Sequence, residues 1–466
     1  MRVRSRLATV FIALVLIALS QPLLSAKPVR VYQVRDLGFI GGANYLVGIA
    51  INTNGDVAGY ALGADGRLRA FRWTAAGGLE DLSTTSWQAS MASAINDNGD
   101  VVGTFWDENW ADHPFIARRG QPLTDLRPLY PQIFTINAVN NLGQLTGYTR
   151  YDRAFKTQPD GELQEFGSYF AFGAGINEAG EIAGVGWHDP DRIVQQTALR
   201  YSDAAGIVDL GTLAGGGSGA TAINESGVLV GWSGSADGTG LIPARAFRAK
   251  PGLPMEDLGV LPGGVFGGVA AATAINDEGA VVGQGDGRFS WAPFLFTDAD
   301  GMINLRDRIT TAERLVFSID AATAINNAGQ ILAGYNGANG DYGTVMLTPV
   351  WREFGGPVAA PTAEPSFLRP ANNRMVRVDI DPHVTDDYDP EPACRIVRVV
   401  NSQKPHAGPD RDVEIVAPLT VNLRASRRGP GNSRTYTITL GCSDALGVTS
   451  TSLVVVRVPH GLGHHD

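Results

Sequence analysis

The chain has 466 residues and a net charge of -10, which argues against nucleic acid or an anionic membrane as its main partner. Hydrophobic residues make up 44% and charged residues only 18%, enough apolar material for a full core and more than one domain. The 58 glycines suit many short strands joined by tight turns.

The chain opens with Arg2, Arg4 and Arg6, an apolar run from Leu7 to Leu19, and Leu23-Leu24-Ser25-Ala26. This pattern predicts a secretory signal over residues 1–26, and the run is short for a membrane span. No later stretch is long and apolar enough to cross a bilayer. The mature protein is expected in the periplasm, at the cell surface or in the medium.

From residue 31 onward the sequence repeats itself. An Ile-Asn-x-x-Gly core recurs at Asn52, Asn96, Asn177, Asn224, Asn276 and Asn326, with a Val139-Asn140 variant. Successive asparagines, Asn140 included, are 44, 44, 37, 47, 52 and 50 residues apart by subtraction. That is the period of a propeller blade or a similar unit. Each period holds four strand-like pieces. The first is small and alternating, such as Ala272-Thr273-Ala274-Ile275. The second follows the turn, such as Val281-Val282-Gly283. The third carries an Ala-Phe or Pro-Phe pair, such as Ala70-Phe71 and Pro114-Phe115. The fourth ends in Asp-Leu or a relative, such as Asp81-Leu82 and Asp257-Leu258. Asn, Asp and Gly accept the positive φ of a hairpin turn, and the Asn side chain can bond nearby backbone. The calcium-loop alternative for Asp97-Asn98-Gly99-Asp100 lacks a bidentate glutamate.

The last repeat lacks its fourth piece, while an unmatched strand, Tyr32–Gly38, precedes the first. Seven complete units therefore require the N-terminal strand to finish the last one, as a closed ring demands. The expected fold is all-β: a seven-bladed β-propeller over residues 27–350, rather than an open solenoid. Small residues such as Ala94, Ala274 and Ala324 fit the crowded inner strands.

Pro357, Pro361, Pro365 and Pro370 mark residues 351–374 as a semi-extended linker. Strand patterns resume over residues 375–460, with the size and spacing of an Ig-like β-sandwich. Cys394 and Cys442 would form its one disulfide, the other reading being two buried thiols. The bridge would suit an exported chain and stabilise it by about 4 kcal/mol. Asp379, Asp381, Asp386, Asp387 and Asp389 could take calcium between strands, against the plainer reading of a solvated loop; no other cofactor is suggested. Residues 461–466 read as a tail.

The repeated Ala-x-x-Ile-Asn-x-x-Gly-x-x-x-Gly and Ala-Phe units resemble the HAF family of extracellular repeats of bacterial exported proteins, over residues 31–348. Arg69, Arg153 and Arg245 replace the family's histidine, which only His113-Pro114-Phe115 keeps. The resemblance implies secretion and a repeat fold but no settled activity, so no functional residues carry over. Residues 375–459, with Asp386-Asp387-Tyr388-Asp389-Pro390 and Gly441-Cys442-Ser443-Asp444, look like the Ig-like spacer or adhesion modules of bacterial surface and secreted proteins.

Two histidines in the repeats, His113 and His188, are too few for a histidine-rich metal centre, and no Gly-x-Ser-x-Gly elbow accompanies them. The candidate ligand-binding residues lie in loops after second strands: Trp106, Asp107 and Trp110 in one unit, Trp187, His188 and Asp189 in another. Aromatics beside carboxylates suit stacking on sugar rings or gripping a peptide; packing between blades is the plainer role. The expected function is an exported, non-catalytic binding or scaffold protein whose partner is a carbohydrate or an extracellular protein. The alternative is a polysaccharide hydrolase or lyase using loop carboxylates.

Overall fold

A computed structural model describes residues 28–84, 86–158, 161–167, 169–187, 196–213, 215–235, 245–264, 268–287, 290–352, 356–387, 389–403, 412–426 and 433–459. The signal segment and the tail lie outside them. Within residues 29–352 the strands form seven four-stranded antiparallel sheets. The first is Leu46–Ile51, Val57–Leu62, Leu68–Thr74 and Gly78–Asp81, hydrogen-bonded in that order. Five more follow, opening at Ala89, Ile133, Tyr169, Gly215 and Ala270. The seventh takes Ser318–Ile325, Ile331–Asn336 and Tyr342–Arg352 from the end of the array and Val29–Asp36 from its start. The N-terminal strand pairs antiparallel with the last one, Val29 facing Arg352 and Asp36 facing Val345. The two ends of the array thus meet in one sheet of a β-propeller-like fold.

The repeated asparagine does two things at once. Each of the seven is buried, none more than 5% exposed. Its Oδ1 accepts the backbone N–H four residues on at 2.8–2.9 Å, closing the turn. Its Nδ2 donates to the backbone carbonyl of the next sheet's asparagine at 2.9–3.3 Å. The series runs Asn52, Asn96, Asn140, Asn177, Asn224, Asn276, Asn326 and returns to Asn52. A side chain with both a donor and an acceptor is needed there, and burial makes any lost partner expensive.

Three residues before each asparagine, the inner strand carries a β-bulge in every sheet. A bulged residue is unpaired in the ladder and its side chain is re-aimed. Five of these residues, Ser93, Asn137, Thr221, Thr273 and Thr323, use that freedom to donate to a carbonyl of the next sheet at 2.5–3.0 Å. The bulge also pushes the inner strand against its neighbour. A Cβ on Gly59, Gly103 or Gly147 would sit 2.0–2.1 Å from an inner-strand carbonyl oxygen, which explains the second glycine of the motif. The third-strand phenylalanines Phe71, Phe115, Phe155, Phe247 and Phe294 are fully buried and pack between sheets.

The C-terminal part contains a four-stranded and a three-stranded antiparallel sheet around one apolar core that includes Val378, Val421, Tyr436 and Val456. The span 351–374 is not a linker: Val358–Ala359 pairs with Val384–Thr385, and Thr362–Glu364 pairs with Asp379–Asp381. Pro357, Pro361 and Pro365 stand at the ends of these short strands, where a missing N–H costs little. Cys394 and Cys442 face each other on neighbouring strands and form a disulfide. Among the described residues no helix is long and apolar enough to cross a membrane.

Candidate functional site

The asparagine turns lie at one end of the ring. The loops joining second to third strands, and the connections between sheets, lie at the other. Four of those second-to-third loops share one five-residue turn. The N–H of the first residue bonds the carbonyl of the fifth, and the N–H of the fourth bonds the carbonyl of the first: Gly63–Arg67, Asp107–Ala111, Thr149–Arg153 and Gly337–Asp341. The fourth position requires a left-handed backbone. Glycine supplies it in two loops, Gly66 at φ 75° and Gly340 at φ 82°. Trp110 at φ 62° and Asp152 at φ 55° hold it in the other two. For an L-residue this conformation costs about 1–2 kcal/mol, and for a bulky side chain it is an outlier of the kind that clusters at functional sites.

The loop is braced from below. Asp107 Oδ1 accepts the N–H groups of Asn109 (2.8 Å) and Ala111 (2.9 Å). The Ala111 N–H, then the Asn109 N–H and the His113 ring, hold its carboxyl below the usual range. The His113 ring lies between Asp125 at Nδ1 (2.8 Å) and Asp107 at Nε2 (3.4 Å), with Arg127 Nη1 also 3.4 Å from Nε2. It stacks on Phe105, which stacks on Trp87, at centroid distances of 4.7 and 3.9 Å. His113 occupies the place where Arg69, Arg153 and Arg245 pair with Asp81, Glu165 and Asp257. Its role is therefore to tie third strand to fourth and to support the Trp110 loop.

Trp110 is 65% exposed, and it does not stand alone. Tyr151 of the neighbouring loop (69%), Leu129 (65%) and Phe134 (38%) are also exposed on this side of the second and third sheets. Phe134 lies against Arg150, which forms an ion pair with Asp112; Trp110 stands two residues before Asp112 and Tyr151 directly after Arg150. The Arg150 guanidinium lies over the Phe134 ring at 5.7 Å and donates from Nε to the Pro131 carbonyl at 3.2 Å. Arg127 Nη1 donates to the Asp112 carbonyl at 3.1 Å. Tyr151, Phe134 and Arg150 were not among the sequence candidates. Aligning the four loops marks Trp110 and Asp152, which stand where the turn calls for glycine, but not Tyr151, Phe134 or Arg150.

The other candidates fare differently. Trp106 ends its strand half-buried, paired with Ala89 and Asp112, and its carbonyl accepts the Gln88 N–H. Trp187 ends the strand Ile182–Trp187, while His188 and Asp189 lie outside the described residues.

No family model matches the chain, and no curated protein matches it. Solved structures do. A puromycin hydrolase S511A mutant shares 10% identity, covering 72% of this chain and 58% of its own, with a TM-score of 0.41. A puromycin-hydrolyzing peptidase of Mycobacterium tuberculosis shares 12%, covering 74% and 59%, with a TM-score of 0.41. The BP39L lectin of Burkholderia pseudomallei shares 9%, covering 66% and 98%, with a TM-score of 0.37. The chain thus spans under two thirds of the two puromycin-hydrolysing proteins, and these likenesses concern fold only.

Elsewhere on the ring, polar groups serve the framework. At the asparagine end, backbone N–H groups of Thr53, Asp97, Asn141, Glu178, Glu225 and Asp277 each bond a side-chain oxygen of the next sheet. Where the first and last sheets meet, Asp320 accepts from Asn336 Nδ2 at 2.9 Å, and burial raises its carboxyl pKa. Tyr342 is pushed up to about 12 by burial and then by the Asp320 charge. Among the described residues no group of three or more His, Cys, Asp or Glu is placed to hold a metal ion. In the C-terminal part Asp379 accepts from Arg377 and Thr420, Asp381 from the His383 N–H, and Asp386 from the Asp389 N–H.

Proposed function

We propose that the ring is a seven-bladed β-propeller carrying an Ig-like module, and that the protein is an exported, non-catalytic binding protein. Its ligand-gripping surface is the loop face at the second and third blades, and the C-terminal module acts as spacer or attachment. The observation that carries this reading is Trp110. A large aromatic side chain holds a glycine position at a conformational cost, stands mostly in solvent, and is braced by Asp107 and His113. A fold selected for stability alone would place glycine there, as it does at Gly66 and Gly340. Exposed aromatics on rigidly supported loops are the usual anchors of a binding surface.

The test is Trp110→Gly in the full exported chain. It should raise the melting temperature, through a gain of about 1 kcal/mol, while removing capture of ligands on an array of glycans and secreted proteins. A variant that melts lower, or that captures the same ligands as the parent, would overturn the reading. Turnover of a polysaccharide that one Asp or Glu substitution abolishes would replace it with the hydrolase or lyase.

A further inference from the structure

Resting on that reading, we infer that the ligand of this patch is an uncharged oligosaccharide, stacked on Trp110 and Tyr151 and hydrogen-bonded through the Arg150–Asp112 pair. Three features of the patch point the same way. The first is its mixture of apolar and polar groups. Three aromatic residues, Trp110, Tyr151 and Phe134, flank the residues of one ion pair. A pyranose has an apolar C–H face that stacks on such rings and a rim of hydroxyls that a guanidinium–carboxylate pair can both donate to and accept from.

The second is the backbone. A peptide commonly binds by adding a strand to an open edge. Here the backbone at Trp106, Arg150 and Asp152 is already paired. The Gln88 N–H bonds the Trp106 carbonyl, the Arg150 N–H bonds the Gln132 carbonyl, and the Ala171 N–H bonds the Asp152 carbonyl. At these positions recognition is left to side chains.

The third is charge. Asp107, Glu108, Asp112 and Asp152 supply four carboxylates on these loops, against the three guanidinium groups of Arg127, Arg150 and Arg153. All three are engaged, Arg127 with the Asp112 carbonyl, Arg150 with the Asp112 carboxylate and Arg153 with Glu165 at 3.7 Å. A polyuronate or sulfated chain would meet net negative charge and lose affinity. A neutral chain would not.

The experiment is titration of the full chain, followed by tryptophan fluorescence and calorimetry. The probes are soluble neutral hexasaccharides (β-1,4-glucan, β-1,4-mannan and β-1,4-N-acetylglucosamine) and hexagalacturonate. At least one neutral hexasaccharide should bind, hexagalacturonate at least tenfold more weakly. Trp110→Gly and Tyr151→Ala should each weaken the neutral ligand tenfold or more, and Arg150→Gln comparably, with melting temperatures no lower than about the parent's for the first two. Neutral binding that survives both aromatic substitutions, while another ligand is lost in Trp110→Gly, would overturn this inference and sustain the loop-face reading. Binding of hexagalacturonate alone, or of a secreted protein alone, with loss in Trp110→Gly would also overturn it while sustaining the loop-face reading. Trp110→Gly without effect on any ligand that the chain binds would sink both.

Discussion

Asn326 donates its side-chain amide to the backbone carbonyl of Asn52, 274 residues earlier, at 2.9 Å. It is the same bond that Asn140 makes to Asn177 at 3.1 Å, yet it joins the last sheet to the first. Replacing either donor by alanine leaves the N–H four residues on without its partner and the facing carbonyl with only the Gly55 or Gly180 N–H, at a cost of about 1–3 kcal/mol. Asn326→Ala and Asn140→Ala should therefore lower stability equally in urea unfolding. A much smaller loss for Asn326→Ala would mean that the closing contact is not formed in solution.

The N-terminal strand makes a second, separate claim about closure. Val31 and Tyr32 are buried, and Tyr32 is pushed up to about 12, chiefly by burial. Val34 N–H reaches Glu313 across the connection into the last sheet, at 3.4 Å. Deleting residues 29–36 strips the last sheet of its outer strand, opens an unpaired edge and exposes that core. The truncated protein should melt far below the parent and aggregate at concentrations where the parent is monodisperse. Equal melting curves would show that the strand is dispensable.

How much of this could be read beforehand depends on the range of the interaction. The turn at Asp97-Asn98-Gly99 was legible because its chemistry is local. The pairing of Val29–Asp36 with the last sheet was legible because strands could be counted. The amide bond from Asn52 to Asn96 was not, because its acceptor lies a full repeat away and belongs to backbone that carries no sequence signature. The bulge at Ser93 or Thr323 was hidden for a related reason: it is a property of register between two strands, not of either one. Residues 351–374 were misread because Pro357, Pro361 and Pro365 mark the ends of short strands as readily as a linker. At the site, Trp110 was found by residue type, but Tyr151 and Arg150 join it only through the folding of two adjacent loops.

The fourth sheet breaks the core pattern in a way that can be repaired. Leu199 stands where five other sheets bury a phenylalanine, and an apolar cleft lined by Phe166, Phe172, Ile182, Leu199 and Tyr201 lies beside it. Leu199→Phe restores the repeat's own side chain at that position. Filling unoccupied apolar space of this kind contributes about 0.5–2 kcal/mol, so the variant should unfold at higher urea with an unchanged m-value. A lower midpoint would mean that the third and fourth sheets are already packed to their limit there.

Glu225 gives the framework a pH signature. Its carboxyl is raised above the ordinary 4.5, first by burial and then by the charges of Glu178, Asp277 and Asp97, against the lowering effect of the Glu178 N–H bond. A carboxyl raised in the folded state destabilises the fold wherever pH exceeds its unfolded value, and that penalty fades as pH falls through the folded value. Glu225→Gln removes the charge and keeps an oxygen to accept the Glu178 N–H, now bonded at 3.1 Å. The variant should melt slightly higher than the parent at pH 7, by on the order of one degree because the group is partly exposed. The two should converge below about pH 4, where the parent's carboxyl is itself protonated. A difference that persists at pH 3.5, or a variant that melts lower at pH 7, would mean that like-charge repulsion at this end of the ring is not what Glu225 feels.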